Sequence, residues 1–319
     1  MSQVSENPFK YSDTNKRYHT YDYYLRHRFG EKCAKITLDA GLSCPNIDGT
    51  RGTGGCIYCS GGSAARNCDS LLPIEEQYRA QVELSRKKWR GVTKFIPYLQ
   101  AYTNTHTSCA NLKSLIDRAT SLEGAVMVDI ATRADCLENE KIDIIAKASE
   151  KMPITVELGL QSAHDDTARL INRGHTYAEF EDAFLRLRER APRVKIGVHI
   201  INGLPGENYE KMIKTAHIVA DLKPDIIKIH LLHIIEGTPL AAMYKRGEYT
   251  PLTLEEYVKI TCDQIECFPP ECVIERVTGD GMKETLIAPM WSLKKTAVIN
   301  EIDKEMYRRR SYQSIALCH

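Results

Sequence analysis

Cys44-Pro-Asn-Ile-Asp-Gly-Thr-Arg-Gly-Thr-Gly-Gly-Cys56-Ile-Tyr-Cys59 stands directly after the run Lys35-Ile-Thr-Leu38. A short run of apolar and β-branched residues suits a parallel strand buried on both faces. The C-terminal end of such a strand is where β/α folds build their sites. Glycine at 49, 52, 54, 55, 61 and 62 leaves this loop free to wrap an object and approach it closely. Its thiolates are soft ligands, suited to iron–sulfur clusters, Cu(I) and zinc.

Outward from this loop, strand-like runs recur near 95–100, 126–131, 154–160, 194–201 and 226–232. Helical segments separate them. Pro73 to Arg90 opens on proline, repeats Ile74, Tyr78, Val82 and Trp89 on roughly one face, and is followed by Gly91. Thr176-Tyr-Ala-Glu179 and Thr253-Leu-Glu-Glu256 are capping boxes. Phe180, Ala183, Phe184 and Leu187 follow the first at helical spacing, and Tyr257, Thr261, Ile265 and Phe268 the second. The segments 112–119, 141–149 and 209–222 fill the other crossovers. Six strands with crossover helices predict an α/β fold, a partial (β/α)6 TIM-like barrel rather than the closed eightfold one. The expected organisation is an N-terminal basic and aromatic segment over 1–30, the barrel core over 31–252, and a C-terminal extension over 253–319.

Composition is that of a globular chain: 319 residues, 43% hydrophobic and 27% charged, with 43 Lys+Arg against 42 Asp+Glu and a net charge of +1. Any basic surface is therefore local. No apolar run approaches the ~20 residues that span a bilayer, and 1–10 lacks the apolar core of a secretory signal. A soluble cytoplasmic protein is expected. In a reducing compartment eleven cysteines point away from a disulfide framework. Most are scattered singly and read as small buried hydrophobes.

Cys44, Cys56 and Cys59 stand apart. Structural zinc and fully ligated clusters want four ligands, whereas here one C-x2-C pair joins one distant cysteine. Three thiolates on a four-iron cluster leave one iron open. Spacing alone keeps a zinc site in play, with Cys68, a His or an Asp as fourth ligand. The Cys44-x11-Cys56-x2-Cys59 pattern, with Tyr58 before its last cysteine, resembles the widened signature of the radical S-adenosylmethionine (SAM) superfamily, as in its elongator-protein-3-like and coproporphyrinogen-oxidase-like branches. Glu157-Leu-Gly-Leu-Gln161-Ser162, Asn172-Arg173-Gly-His175 and His199-Ile-Ile-Asn-Gly203-Leu-Pro205-Gly206-Glu207 resemble its fourth- and fifth-strand motifs. The likeness spans roughly 30–240. It implies a [4Fe–4S] cluster on Cys44, Cys56 and Cys59, whose open iron chelates SAM and whose electron cleaves it to a 5′-deoxyadenosyl radical.

By motif position the resemblance implies SAM contacts from Thr103, Arg133, Glu157, Gln161, Arg173 and His199. Arg suits the SAM carboxylate because its fork binds bidentately. Thr103 stands where relatives carry a glycine-rich turn, Ala134 replaces a proline beside Arg133, and His199 replaces an acidic residue. Outside the motif each has a plainer reading, an ion-pair partner for the arginines and a satisfied core side chain for the histidine. No catalytic side chain is assigned. His230 and His233 end the sixth strand, where at most one faces inward. Asp280, Gly281 and Trp291 belong to a stretch that is either a closure of the barrel mouth or core.

Residues Lys16-Arg17-Tyr18-His19-Thr20-Tyr21-Asp-Tyr23-Tyr24-Leu-Arg26-His27-Arg28 interleave cations with rings, as single-stranded RNA binding uses. Arg308-Arg309-Arg310, with Tyr307 and Tyr312, adds a second basic patch. Such segments also simply pack on a barrel. The whole chain resembles the YhcC/MnmL-like group of radical SAM proteins in Asn15-Lys-Arg-Tyr-His-Thr20, Gln100-Ala-Tyr-Thr-Asn-Thr-His106, Lys228-Ile-His-Leu-Leu-His233 and Thr278-Gly-Asp-Gly281. That resemblance implies tRNA, at its anticodon region, as substrate. The wobble uridine's 5-carboxymethylaminomethyl group would become 5-aminomethyl, with a flavodoxin or ferredoxin as electron donor. The competing expectations are radical SAM chemistry on a small metabolite or another RNA position, and a non-catalytic zinc- or cluster-stabilised RNA-binding protein.

Overall fold

The computed structural model describes residues 7–61, 68–279 and 281–318. The strands are β1 (Cys33–Leu38), β2 (Lys94–Leu99), β3 (Val128–Thr132), β4 (Ile154–Gln161), β5 (Lys195–Asn202), β6 (Ile226–Leu231), β7 (Ile234–Ile235), β8 (Val273–Arg276) and β9 (Leu286–Ala288). The helices are α1 (Tyr21–Phe29), α2 (Ile74–Lys88), α3 (Cys109–Thr120), α4 (Asn139–Ser149), α5 (Asp165–Leu170), α6 (Tyr177–Arg190), α7 (Tyr209–Asp221), α8 (Pro239–Lys245), α9 (Leu254–Cys267) and α10 (Lys295–Arg308). The sheet runs β1-β2-β3-β4-β5-β6-β8, in chain order, and β7 pairs with β9 apart from it. The six runs read from the sequence are its first six strands. The seventh, β8, joins parallel to β6 from within the C-terminal extension.

Contacts divide the chain into two compact units. One takes its described residues from Leu25–Leu160 and Asn172–Val198, the other from Met1–Tyr24, Gln161–Ile171 and His199–His319.

In the first unit β1, β2, β3 and β4 pair parallel, with Ile36 opposite Pro97 and Ala131 opposite Glu157. Ile36, Leu38, Ile96, Leu99, Ile130, Val156 and Leu158 are fully buried, which explains why these strands read as apolar runs rather than alternations. Helix α2 starts after Pro73 and buries Ile74, Tyr78 and Val82; Gly91 then takes φ +81°, the left-handed turn a side chain resists. The Thr176–Glu179 box is formed, and α6 buries Phe180, Ala183, Phe184 and Leu187. Each large apolar side chain so placed contributes about 1.5–3 kcal/mol.

In the second unit the Thr253–Glu256 box opens α9, which buries Tyr257, Thr261 and Ile265; Phe268, the C-cap residue, is buried beyond its last turn. Helix α10 packs on α9. Arg17 and His19 meet Gln313 here. Gln313 accepts from His19 N through Oε1 (2.8 Å) and donates through Nε2 to the carbonyls of Pro269 (2.6 Å) and Cys272 (2.8 Å). Its own N–H reaches the Arg17 carbonyl at 2.9 Å. Among the described residues no helix is long and apolar enough to cross a membrane.

Candidate functional site

The loop after β1 is folded by its own backbone. The Cys44 carbonyl accepts from Ile47 N (2.8 Å) and Asp48 N (3.1 Å), the Asn46 carbonyl from Gly55 N (2.8 Å), and the Cys56 carbonyl from Cys59 N (2.9 Å). Asp48 holds the turn through the Thr50 N–H (3.0 Å) and hydroxyl (2.7 Å), which keep its carboxyl well below the usual range. Gly54, Gly55 and Gly61 adopt positive φ. Burial pushes the Cys56 thiol up to about 11, against the pull of Arg133 and with help from the charges of Cys59 and Cys44. The Cys59 thiol is raised by desolvation and by Cys44. Charge on Cys44 thus acts on both other thiols.

They are not, however, all within 4.8 Å of one another. A single tetrahedral zinc, at ~2.3 Å from each sulfur, requires them about 3.8 Å apart. Cys68 belongs elsewhere, donating to the Thr37 carbonyl at 3.0 Å and receiving from Gln81 Nε2 at 3.7 Å.

Three polar groups serve Cys56. Asn46 Nδ2 lies 3.8 Å from its sulfur. The Tyr58 hydroxyl hydrogen-bonds to it. Arg133 adds a positive charge that couples to Cys44 and Cys56. Asp135 holds Arg133 bidentately at 2.9 Å and 2.9 Å, and Arg133 Nη1 donates to the Arg173 carbonyl at 2.7 Å. Beside them His175 is driven down to about 2 by burial and by Arg173, Arg133 and Arg51, so it is neutral.

The expected SAM contacts fall into separate places. Arg133 and Arg173 share the neighbourhood of the cysteine loop. Arg173 is fully buried, its guanidinium donating to the carbonyls of His175 (2.9 Å) and Leu160 (2.5 Å). Thr103 is buried at the end of β2, its N–H on the Ser43 carbonyl at 3.3 Å, next to the loop's start. Glu157 points into a different group, where Lys35 lies 2.8 Å away and the Tyr98 hydroxyl 2.6 Å. Gln161 ends β4 at φ +62°, a strained conformation for a residue with a side chain. In the other unit His199 stacks edge-on against His230 with ring centroids 4.3 Å apart, and a Cβ on Gly279 would meet His233 at 2.9 Å. Burial and the charges of His199, Arg276, Lys228 and His233 keep His230 well below the ordinary histidine range. Trp291 packs on Tyr257 at 5.7 Å. Asp280 lies outside the described residues.

The basic, aromatic N-terminal stretch packs on its own unit. Tyr11 stacks on His19 at 4.7 Å, Lys16 pairs with Asp303, Lys10 reaches Glu271 at 3.4 Å, and Arg17 lies over Tyr307 at 5.2 Å. Asn46 and Asp135 are the site residues that sequence reasoning passes over. Asn46 has a signal in hindsight, a turn residue two places after a cysteine, but its partner Asn172 is remote in sequence.

The Radical SAM superfamily profile matches residues 47–219, more than half of the chain, and the Radical_SAM C-terminal domain matches 224–308. The chain belongs to the radical SAM superfamily. YtqA of Bacillus subtilis (strain 168) is 43% identical over 97% of this chain and 96% of its own, and YhcC of Escherichia coli (strain K12) 34% over 88% and 89%. The tRNA uridine(34) acetyltransferase of Methanocaldococcus jannaschii is 35% identical over 42% of this chain and 25% of its own. The solved structure of archaeal Methanocaldococcus infernus Elp3 with an N-terminal deletion superposes with a TM-score of 0.68 at 21% identity, over 88% of this chain and 64% of that one. The fold is therefore the α/β radical SAM fold, a partial TIM-like barrel. Radical SAM enzymes use a [4Fe–4S] cluster and SAM, and three soft thiolates with nearby hydrogen-bond donors on a glycine-rich loop fit the cluster chemically.

Proposed function

We propose that this radical SAM enzyme holds its [4Fe–4S] cluster on Cys44, Cys56 and Cys59 and acts on the wobble uridine of tRNA, converting a 5-carboxymethylaminomethyl group to 5-aminomethyl. What carries the tRNA reading is the 35% identity, over 138 residues, to a relative named for uridine 34 of tRNA. The cysteine part is supported by the backbone hydrogen bonds that fold Cys44, Cys56 and Cys59 into one glycine-rich loop and by the engagement of Cys68 at Thr37.

When bound, the cluster and SAM supply a 5′-deoxyadenosyl radical able to remove hydrogen from an unactivated carbon. The protein's own part is position and exclusion of water. The glycine-rich loop would hold the cluster on its three cysteines, Asn46, Tyr58 and Arg133 stabilise charge on Cys56, and Thr103 and Arg173, near the same loop, would contact SAM. On this reading a hydrogen atom leaves the carboxymethyl CH2. The carbon radical passes one electron to a one-electron acceptor protein, and water adds to the resulting C=N bond. The amine stays on uridine, and the two carbons leave as an aldehyde acid. A flavodoxin- or ferredoxin-type donor supplies the reducing electron, and the enzyme works in the cytoplasm with its tRNA.

Nucleoside mass spectrometry of tRNA from a deletion strain tests the substrate. Accumulated 5-carboxymethylaminomethyl-uridine with loss of the 5-aminomethyl product and its derivatives is expected; an unchanged profile removes the proposal.

A further inference from the structure

Asn46 is 1% exposed and trapped on every side. Its Nδ2 donates to the Asn172 carbonyl, and the same amide nitrogen lies 3.8 Å from Cys56 Sγ. A carboxamide NH2 carries two hydrogens in one plane. Committing one to Asn172 orients that plane and turns the other toward sulfur. The opposite edge is equally fixed: a Cβ built on Gly52 or Gly174 would come within 2.6 Å of Asn46 Oδ1. Both glycines leave only enough room for the amide oxygen. Gly52 is not at positive φ, so the backbone there makes no demand for glycine; the close approach of Asn46 does.

An N–H donor aimed at a ligand sulfur stabilises negative charge there. Reduction of an iron–sulfur cluster adds one electron, spread partly onto its sulfurs, so such a donor favours the reduced form and raises the potential. Arg133 also acts on Cys56, through its charge, and is held by Asp135 through two 2.9 Å contacts. The Tyr58 hydroxyl is a second neutral donor to Cys56; Asn46 is the one whose direction Asn172, Gly52 and Gly174 fix. We infer that Asn46 is a positioning residue that raises the reduction potential of the cluster through its hydrogen bond to Cys56, with Gly52 and Gly174 as the seat that holds its amide. The inference rests on Cys56 being a cluster ligand.

The test uses full-length protein reconstituted anaerobically, iron counted per chain and midpoint potential read by EPR-monitored redox titration. Asn46→Ala and Gly52→Ala are each expected to keep four irons and to shift the midpoint to lower potential, the second because its Cβ displaces the amide. A cluster with four irons and the wild-type midpoint in both variants overturns the inference. Wild-type protein carrying asparagine 15N-labelled at the side-chain amide gives a readout that survives a variant's failure to assemble. Pulsed EPR of the reduced cluster should show a 15N coupling, and its absence also overturns the inference. Cys56→Ala separates the two levels: four irons retained there would sink the ligand assignment itself.

Discussion

Glu207 carries a carboxyl that titrates close to neutrality. Burial pushes it up to about 7 against the pull of Ser162, Thr167 and Lys211. The folded protein therefore binds this proton more tightly than the unfolded chain, whose glutamate releases it near 4.5. Its contribution to stability is fully present below about 4.5 and lost as pH rises through about 7, on the order of 3 kcal/mol in all. Glu207→Gln stays neutral throughout and keeps an acceptor for Ser162. Urea denaturation at pH 5 and pH 8 should show the wild type losing stability between them by more than the variant does. Equal losses would mean that Glu207 is not the titrating group. A second prediction at this scale concerns thiols. Ala at Cys44, Cys56 or Cys59 should abolish iron retention and SAM cleavage, whereas Cys68→Ala, whose sulfur is engaged at Thr37 and Gln81, should retain both. Iron analysis and 5′-deoxyadenosine release check this, and iron loss in the Cys68 variant would contradict it.

At the scale of elements, one buried polar group ties four strands together. Lys35 on β1 lies 2.6 Å from Asp129 on β3 and 2.8 Å from Glu157 on β4, while Tyr98 on β2 donates to Glu157 at 2.6 Å. Asp129 and Glu157 are almost wholly buried. Lys35→Met preserves the stem and deletes the charge that both buried carboxylates contact. Breaking a buried pair from one side costs about 3–5 kcal/mol. Chemical denaturation should register that loss, and a change under about 1 kcal/mol would show the pair to be dispensable. This network was not legible in the sequence, because Lys35, Asp129 and Glu157 sit in apolar runs that identify strands without saying which polar side chains meet. The strands and main crossover helices were legible for the same reason that the network was not: burial on both faces leaves long apolar runs, and the two capping boxes mark helix starts locally. Helix α1, Tyr-Asp-Tyr-Tyr-Leu-Arg-His-Arg-Phe, buries only Leu25 and so lacks an apolar stripe. Strand β8 is four residues long, half apolar and half charged, and its place beside β6 is decided by tertiary pairing. Helix α10 has no side-chain cap to announce it.

For the whole molecule the relevant quantity is charge. With 43 cations against 42 anions, the chain has no global field to draw in a polyanion. Two of the three arginines that the sequence offered as a second basic patch are ion-paired, Arg308 at the surface and Arg309 half-buried. Arg308 pairs with Glu305 at 2.7 Å, and Arg309 with Glu305 at 2.6 Å and with Asp263. Lys16 is held by Asp303, and Arg17 hydrogen-bonds the Ser311 carbonyl at 3.4 Å. At these positions a phosphate has to compete with the carboxylates for the cations. Each phosphate contact adds about −0.7 to −0.9 to the slope of log affinity against log salt. If the enzyme binds an anticodon stem-loop, recognition must therefore rest on the modified base and a small number of phosphates, and the slope should be shallower than about −4. Fluorescence anisotropy with a labelled stem-loop between 50 and 200 mM salt measures it. A slope as steep as about −7, the mark of some eight to ten phosphate contacts, would require those ion pairs to open on binding. The same titration with an unmodified stem-loop separates the two sources of affinity: loss of binding without a change of slope assigns the energy to the wobble base, and a fall in slope assigns it to the backbone.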